Sequence, residues 1–270
     1  MMLQSRHSLF DLSGKLAIVT GGGSGLGREF CDVLAEFGAD IVCSDLNRER
    51  AEETCAIVRS YGINARAVEM DVSKYDQVQA MFELVERTFG RLDVLINNAG
   101  IINKRSPIHQ LDPIEWHRVV NVNLHGTFYC MKEGLSLMMK QGKGSIINNA
   151  SVTGLCGTEP EVGMIAPYAT SKSAVIGLTR QAAAEYGRYG IRVNSIAPGW
   201  HLGTNLGSSS GTKRSEEELK AWRQLLDSKT PMRRTGDPRE LRGLVLYLAS
   251  DASSFVTGQV IASDGGWACV

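Results

Sequence analysis

Tyr168 and Lys172 stand four residues apart in Ala166-Pro-Tyr-Ala-Thr-Ser-Lys172. If the segment from Pro167 to Arg188 is helical, that spacing puts phenol and ammonium on one face. A nearby cation favours phenolate, so the tyrosine pKa is expected to fall from about 10 toward working pH. Tyr168 is then a candidate to give a proton to a carbonyl oxygen or take one from an alcohol. A Tyr and a Lys at this spacing also occur on ordinary amphipathic helices as a packed ring and a solvated charge. The choice depends on what else the chain carries.

Upstream, Thr20-Gly-Gly-Gly-Ser-Gly-Leu-Gly27 follows an apolar run and precedes a helical pattern. It does not match G-x-G-x-x-G, but Gly21, Gly25 and Gly27 give G-x-x-x-G-x-G. Such a turn lets the backbone approach a pyrophosphate and aims the free N–H groups of the next helix at it. Asp45 ends the second β-rich run, 24 residues after Gly21. Its carboxylate could accept from both adenosine ribose hydroxyls and would repel a 2′-phosphate, which favours NAD over NADP. Arg48 nearby would soften that preference, and Asp45 could instead cap a helix starting near Asn47. Asp71-Val72 either holds the adenine edge or caps a helix beginning near Lys74. Ser151 stands between the glycine turn and Tyr168. Nucleotide cradle and proton-transfer pair together point to redox chemistry.

Positioning these groups requires a sheet. Short β-rich runs begin at Leu16, Ile41, Ala65, Val94, Ser145, Ile191 and Gln259, and helical patterns lie between them. The first run is almost wholly apolar, as suits a buried parallel strand feeding a crossover helix over Leu26 to Phe37. The alternation predicts an α/β fold, a Rossmann-like doubly wound parallel sheet of about seven strands with helices on both faces. From Pro198 to Thr212 the pattern gives way to Gly, Ser and Thr, with Trp200 and His201 near its start, before a charged helical stretch from Ser215 to Asp227. This reads as a substrate lid around 199–229, or as a solvent loop.

At 270 residues the chain suits one domain, 1–270. Basic and acidic residues both number 29, so the charge footprint of a nucleic-acid or acidic-membrane binder is absent. The six cysteines form no C-x-x-C pair, and reduced thiols in a cytoplasmic protein are expected. His7, His109, His117, His125 and His201 show no paired ligand spacing, so no metal is expected. Residues 1–14 carry no signal-like apolar core, and no later run offers a membrane span.

From Gly14 to Trp267 the sequence resembles the short-chain dehydrogenase/reductase family in its single-domain form. The motifs that carry the likeness are Thr20 to Gly27, Asp71-Val72, Asn97-Asn-Ala-Gly100, Asn121-Val-Asn123, Ser151, Tyr168 to Lys172, Pro198-Gly199 and Ser263-Asp-Gly-Gly266. The resemblance implies a catalytic set of Asn123, Ser151, Tyr168 and Lys172. Tyr168 is the implied acid/base, and Ser151 the group that holds the substrate oxygen. Lys172 would tune Tyr168 and bind the nicotinamide ribose. The backbone carbonyl of Asn123 would hold a relay water, with Asn121 the alternative. Implied cofactor contacts are Gly21, Ser24, Gly25, Leu26, Gly27, Asp45, Asp71, Val72, Asn98, Ala99, Gly100, Tyr168, Lys172, Pro198, Gly199 and Thr204. A homotetramer is also implied, pairing Leu111 to Lys140 and Tyr168 to Arg188 between subunits. Both segments could instead pack only on the protein's own sheet.

Two departures from the family pattern flank the expected substrate position. Ser151 and Tyr168 lie 17 apart, longer than the family's usual spacing, so Gly154 to Ala166 is expected to bulge into or over the pocket. The threonine after Pro198-Gly199 comes one residue late, at Thr204. Cys156, Glu159, Glu161, Met164, Trp200 and His201 are the candidate pocket walls. The expected activity is hydride transfer between NAD(H) and a small secondary alcohol or ketone. The alternatives are an NADP-linked 3-oxoacyl-type reductase and a non-catalytic nucleotide-sensing regulator.

Overall fold

A computed structural model describes residues 9–204, 206 and 215–270. His7, Asn205 and the 207–214 part of the expected lid lie outside the described residues. Seven strands form one parallel sheet: β1 (Leu16–Thr20), β2 (Asp40–Asp45), β3 (Ala65–Glu69), β4 (Val94–Asn97), β5 (Gly144–Asn149), β6 (Ile191–Pro198) and β7 (Val260–Ser263). Their order is β3-β2-β1-β4-β5-β6-β7. The chain winds outward from β1 in one direction, then returns to pair β4 on its other side. This reversal opens a crevice at the carboxyl ends of β1 and β4, where open α/β sheets bind ligands.

Strands β1, β4 and β5 are buried along their whole length, and β1 and β4 accordingly read as near-continuous apolar runs. On one face Phe30 and Leu34 of α1 (Gly25–Glu36) pack with Cys55 and Val58 of α2 (Arg48–Val58) and Val245 and Leu248 of α8 (Arg242–Ala249). On the other, Val78 and Phe82 of α3 (Tyr75–Phe89) pack with Met131 and Met138 of α5 (Gly126–Gln141) and Ala182 of α6 (Ala166–Tyr186).

The expected helix over 111–140 is interrupted. It comprises α4 (Pro113–Val120), a π-helical turn (Asn121–His125) and α5. The wider turn keeps helical dihedrals, so apolar periodicity does not reveal it. Ser215 and Glu218 form a reciprocal capping box that starts α7 (Glu216–Lys229), close to where the sequence places a charged helix. None of the six cysteines is in a disulfide, and four of them are buried.

Candidate active site

The glycine turn is shaped by close approach. A Cβ on Gly21 would lie 2.8 Å from Ala99 Cα, and one on Gly27 would collide with the Gly21 carbonyl oxygen. Asn98 fastens the turn: its Nδ2 donates at 3.0 Å to the carbonyls of Thr20 and Gly21, and its Oδ1 accepts from Asn149 Nδ2 at 2.9 Å. Beyond the turn, Ser24 caps α1 with extended backbone, and its hydroxyl makes no cap hydrogen bond.

A cleft of about 390 Å³ runs along the carboxyl ends of the strands. Gly21, Ser24, Gly25, Leu26, Asp45, Asp71, Val72, Asn98, Ala99, Gly100, Tyr168, Lys172, Pro198, Gly199 and Thr204 all border it. Gly27 does not. It is buried under the turn, where the absence of a side chain lets α1 close on Gly21. Thr204 packs over Gly25, its Cβ about 3.3 Å from a Cβ built there, so the late threonine reaches the glycine turn.

At the other end of the cleft Asp45 Oδ2 accepts from Gly23 N at 2.9 Å and Oδ1 from Asn47 N at 3.0 Å. Asn47, not Asp45, caps α2 by accepting from Arg50 N. Arg50 borders the cleft beside Asp45, whereas Arg48, the cation singled out from sequence, does not. Asp71 accepts from the Ser73 N–H and hydroxyl, while the cap position of α3 falls to Lys74.

Tyr168 and Lys172 project from one face of α6, with Lys172 Nζ 5.6 Å from the Tyr168 ring centre. Both side chains are buried. Burial pushes the Tyr168 phenol up to about 12, a shift that a hydrogen bond from Ser151 partly offsets. Burial also brings Lys172 down to about 8. The expected lowering of Tyr168 by Lys172 is therefore absent from this structure. Taking the phenolate out of water outweighs the ammonium, which donates to the Asn149 carbonyl at 2.6 Å. Asn149 was not singled out by sequence, although it ends β5 two residues before Ser151. Its Oδ1 is buried without a hydrogen-bond partner.

Asn121 is exposed, whereas Asn123 is fully buried. Asn123 Nδ2 donates to Ile101 O at 2.9 Å and Ser171 Oγ at 3.1 Å, and its carbonyl accepts from the Thr127 hydroxyl at 2.8 Å. It lies behind Gly100 and Lys172, off the cleft wall. Thr153 is a further residue that sequence reasoning missed. Both its N–H and its hydroxyl donate to Ser151 Oγ, at 3.2 and 3.1 Å.

A second cavity, of about 740 Å³, adjoins the first, and Ser151, Tyr168, Gly199 and His201 border both. The long segment before Tyr168 supplies part of its wall through Val162, Gly163 and Ile165. Cys156, Glu159, Glu161 and Met164, four of the expected wall residues, do not line it, whereas Trp200 and His201 do. The segment is tied down on both flanks. Arg105 donates to the carbonyls of Glu161 and Val162, Asn103 and the Ser106 N–H reach the Met164 carbonyl, and Trp222 of α7 reaches Val162 O. Trp200 stacks edge-on against Trp222 and Trp267 at 5.7 and 5.5 Å, linking the segment after β6 to α7 and to the residues after β7.

A family model described as Enoyl-(Acyl carrier protein) reductase matches residues 21–268. The chain belongs to the short-chain dehydrogenase/reductase family. It is 42% identical over 260 residues to "Short chain dehydrogenase/reductase astE" of Aspergillus oryzae, covering 95% of this chain and 96% of that one. It is 38% identical to the 2,5-dichloro-2,5-cyclohexadiene-1,4-diol dehydrogenase of Sphingobium indicum, over 96% of this chain and 99% of the relative. The crystal structure of levodione reductase superposes with a TM-score of 0.90 at 36% identity, covering 96% and 99% of the two chains. Members of this short-chain dehydrogenase/reductase family are nicotinamide-linked oxidoreductases, and solved neighbours of the chain include an NADP complex and an NAD+ complex. The side-chain-free Gly21 and Gly25 on the cleft wall and the unpartnered Asn149 Oδ1 fit such a dinucleotide. Among the described residues no group of three or more His, Cys, Asp or Glu is arranged to hold a metal, and no helix is long and apolar enough to cross a membrane.

Proposed function

We propose that this protein interconverts a secondary alcohol and its ketone with NAD(H), with Tyr168 as general acid/base. The observation that carries the reading is that Ser151 and Tyr168 lie on the shared border of two cavities, one of which also contains the glycine turn and Lys172. A substrate oxygen at that border would meet the Ser151 and Tyr168 hydroxyls together.

A nicotinamide bound in the cleft would supply or accept the hydride. Ser24, Gly25, Leu26 and Thr204 would hold its pyrophosphate, and Lys172 the ribose next to the nicotinamide. The adenosine end would meet Asp45, Asp71, Val72, Asn98, Ala99 and Gly100, with Pro198 and Gly199 near the nicotinamide. Gly27 would act indirectly, by letting α1 approach the turn. Ser151 would hold the substrate oxygen. In reduction the Tyr168 phenol would give that oxygen its proton, and in oxidation the phenolate would take it back. Lys172, brought near neutrality by burial, would exchange protons behind Tyr168. The Asn123 backbone carbonyl, which also accepts from Thr127, would hold a water that relays protons from Lys172 toward solvent.

Asp45 at the end of β2 supports NAD, because a second anion there would repel a 2′-phosphate. Arg50 beside it favours the second reading, an NADP-linked reductase of the 3-oxoacyl type. The presence of Ser151, Tyr168 and Lys172 at one cleft opposes a non-catalytic regulator. On the leading reading the chain acts as one cytoplasmic domain, 1–270, with 199–229 as substrate lid. It forms a homotetramer through α5 and α6, and exposed Phe128 and Met139 on α5 support such pairing.

NADH and NADPH titration by fluorescence, followed by nicotinamide absorbance across secondary alcohols and polyols, tests the reading. NADH binding with turnover supports it. Binding without turnover across the panel would favour the regulator, and tighter NADPH binding would favour the second reductase.

A further inference from the structure

The 740 Å³ cavity beside Tyr168 falls within the range that encloses drug-sized ligands, roughly 300–1,000 Å³, and a small alcohol would leave most of it to water. Around the phenol its surface is apolar: Tyr168 and Ile165 pack with Ile101, Ile102 and Leu206. Buried Val162 continues that wall. Two polar residues at the wall serve the backbone. Asn103 donates to the Lys104 and Met164 carbonyls, and Arg105 to the Glu161 and Val162 carbonyls. Glu216, Lys220 and Arg223 of α7 also border the cavity, but they are exposed and form its rim against solvent.

One residue of the wall has no side chain. Gly163 is buried at the cavity's border, within the long segment before Tyr168. Its backbone is held without help from a side chain: its N–H donates to the Glu159 carbonyl at 2.9 Å, and its carbonyl accepts from the Thr158 hydroxyl at 2.9 Å. Its φ lies outside the left-handed region, so the local turn does not require glycine. The atoms nearest to a Cβ built there all belong to Ile165, at 3.6 Å, which is ordinary contact. Neither backbone strain nor crowding therefore accounts for the glycine. What a larger side chain would take at this position is cavity space.

We propose that Gly163 keeps the cavity deep enough for a substrate built on a bulky apolar frame of two or more fused rings, with its reacting alcohol or ketone oxygen at Ser151 and Tyr168. This rests on the alcohol/ketone reading above and narrows it. Burying apolar surface favours binding in proportion to the area removed from water, so each enclosed ring adds to affinity. A rigid multi-ring frame also fills such a volume with fewer rotors to freeze than an open chain. Trp200 and Trp222, edge to face at 5.7 Å, both border the cavity and offer aromatic surface to such a frame.

The test measures NAD-linked oxidation of cyclohexanol, decalol and a perhydrophenanthrenol, secondary alcohols that add one apolar ring at a time. In the parent protein kcat/KM should rise by roughly tenfold or more from the first to the third, carried mainly by KM. In Gly163→Phe that rise should collapse toward one while cyclohexanol turnover is retained. Gly163→Leu, with a shorter side chain, should give an intermediate series, and it decides the matter if Gly163→Phe does not fold. Binding of the three-ring alcohol to the NADH-loaded protein, a combination that cannot react, is read by tryptophan fluorescence and should weaken in Gly163→Phe in step with the ratio. Equal kcat/KM for all three alcohols in the parent protein would overturn the bulky frame and leave the oxidoreductase reading standing. Preference for an open-chain secondary alcohol of equal carbon number would overturn the fused rings. Binding that strengthens with ring number, without turnover of any alcohol, would support the cavity and overturn the oxidoreductase reading. A series unchanged in both Gly163→Phe and Gly163→Leu would remove Gly163 from the assignment and overturn the proposal.

Discussion

Thr153 donates twice to Ser151 Oγ, through its N–H at 3.2 Å and its hydroxyl at 3.1 Å. A serine hydroxyl has two acceptor sites and one proton, so Thr153 fills the acceptor sites and leaves the proton to point elsewhere. That proton is available to Tyr168, whose upward pKa shift Ser151 partly offsets. Thr153 is thus a positioning residue for the serine.

Thr153→Val keeps the shape and the backbone donor but removes the hydroxyl. The expected result is a fall in kcat of about tenfold, the cost of roughly 1.4 kcal/mol of lost orientation. NADH affinity should be unchanged, and Thr153→Ser should restore most of the rate. If Thr153→Val keeps the parental kcat while Thr153→Ser loses it, methyl packing and not the hydroxyl is what matters.

Tyr168→Phe removes the proposed acid/base and keeps the ring among Val119 and Ile165. Turnover should fall by about 10²–10⁴ while NADH titration changes little. Retained turnover would end the assignment of Tyr168.

Asp45→Ala should bring the NAD and NADP affinities at least tenfold closer, because it removes the proposed ribose acceptor and the charge proposed to repel a 2′-phosphate. Asp45 also holds the Gly23 N–H, so NADH binding itself should weaken. Arg50→Gln should act oppositely, weakening NADPH more than NADH. An Asp45→Ala protein with parental selectivity would show that the preference is set elsewhere.

Lys172 makes stability pH-dependent. Its pKa is about 8 in the folded protein against 10.5 in the unfolded chain. Below pH 8 both states hold the proton, and the folded state bears the whole cost of burying the ammonium. Between pH 8 and 10.5 the unfolded chain binds more protons, so stability rises with pH, by up to about 3 kcal/mol. Tyr168, raised from 10 to about 12, acts the other way at higher pH. Denaturant unfolding from pH 7 to 10 should show Lys172→Met more stable than the parent at pH 7, with the gap closing as pH rises. Parallel curves across that range would contradict the burial cost.

All seven strands are visible in the sequence as short β-rich runs separated by helical patterns, and β1 and β4, buried on both faces, show no alternation. The turn at Gly21 to Gly27 is visible for a related reason: a side chain at Gly27 would strike the backbone of the same turn. The pair Tyr168 and Lys172 is local, four residues on one helix, so its direction follows from helical geometry once α6 is recognised. Ser215 with Glu218, a local capping box, is legible in the same way.

Relations between distant segments were not legible. Sequence alone could not tell whether Thr204 would reach Gly25, or that Arg50 and not Arg48 would face the cleft, because each depends on how a loop or helix is rotated against the sheet. Helical periodicity does not separate Asn121 from Asn123, since the π-helical turn changes which residue faces inward without changing the helical pattern; the preference for Asn123 comes from the family resemblance. The sign of the Tyr168 shift was misjudged for a physical reason. A neighbouring charge can be inferred from spacing, but desolvation depends on everything that encloses the ring. The long segment before Tyr168 announced itself only by length. Which of its residues form the cavity wall was decided by Arg105, Asn103 and Trp222, whose hydrogen bonds fix its backbone carbonyls from two sides.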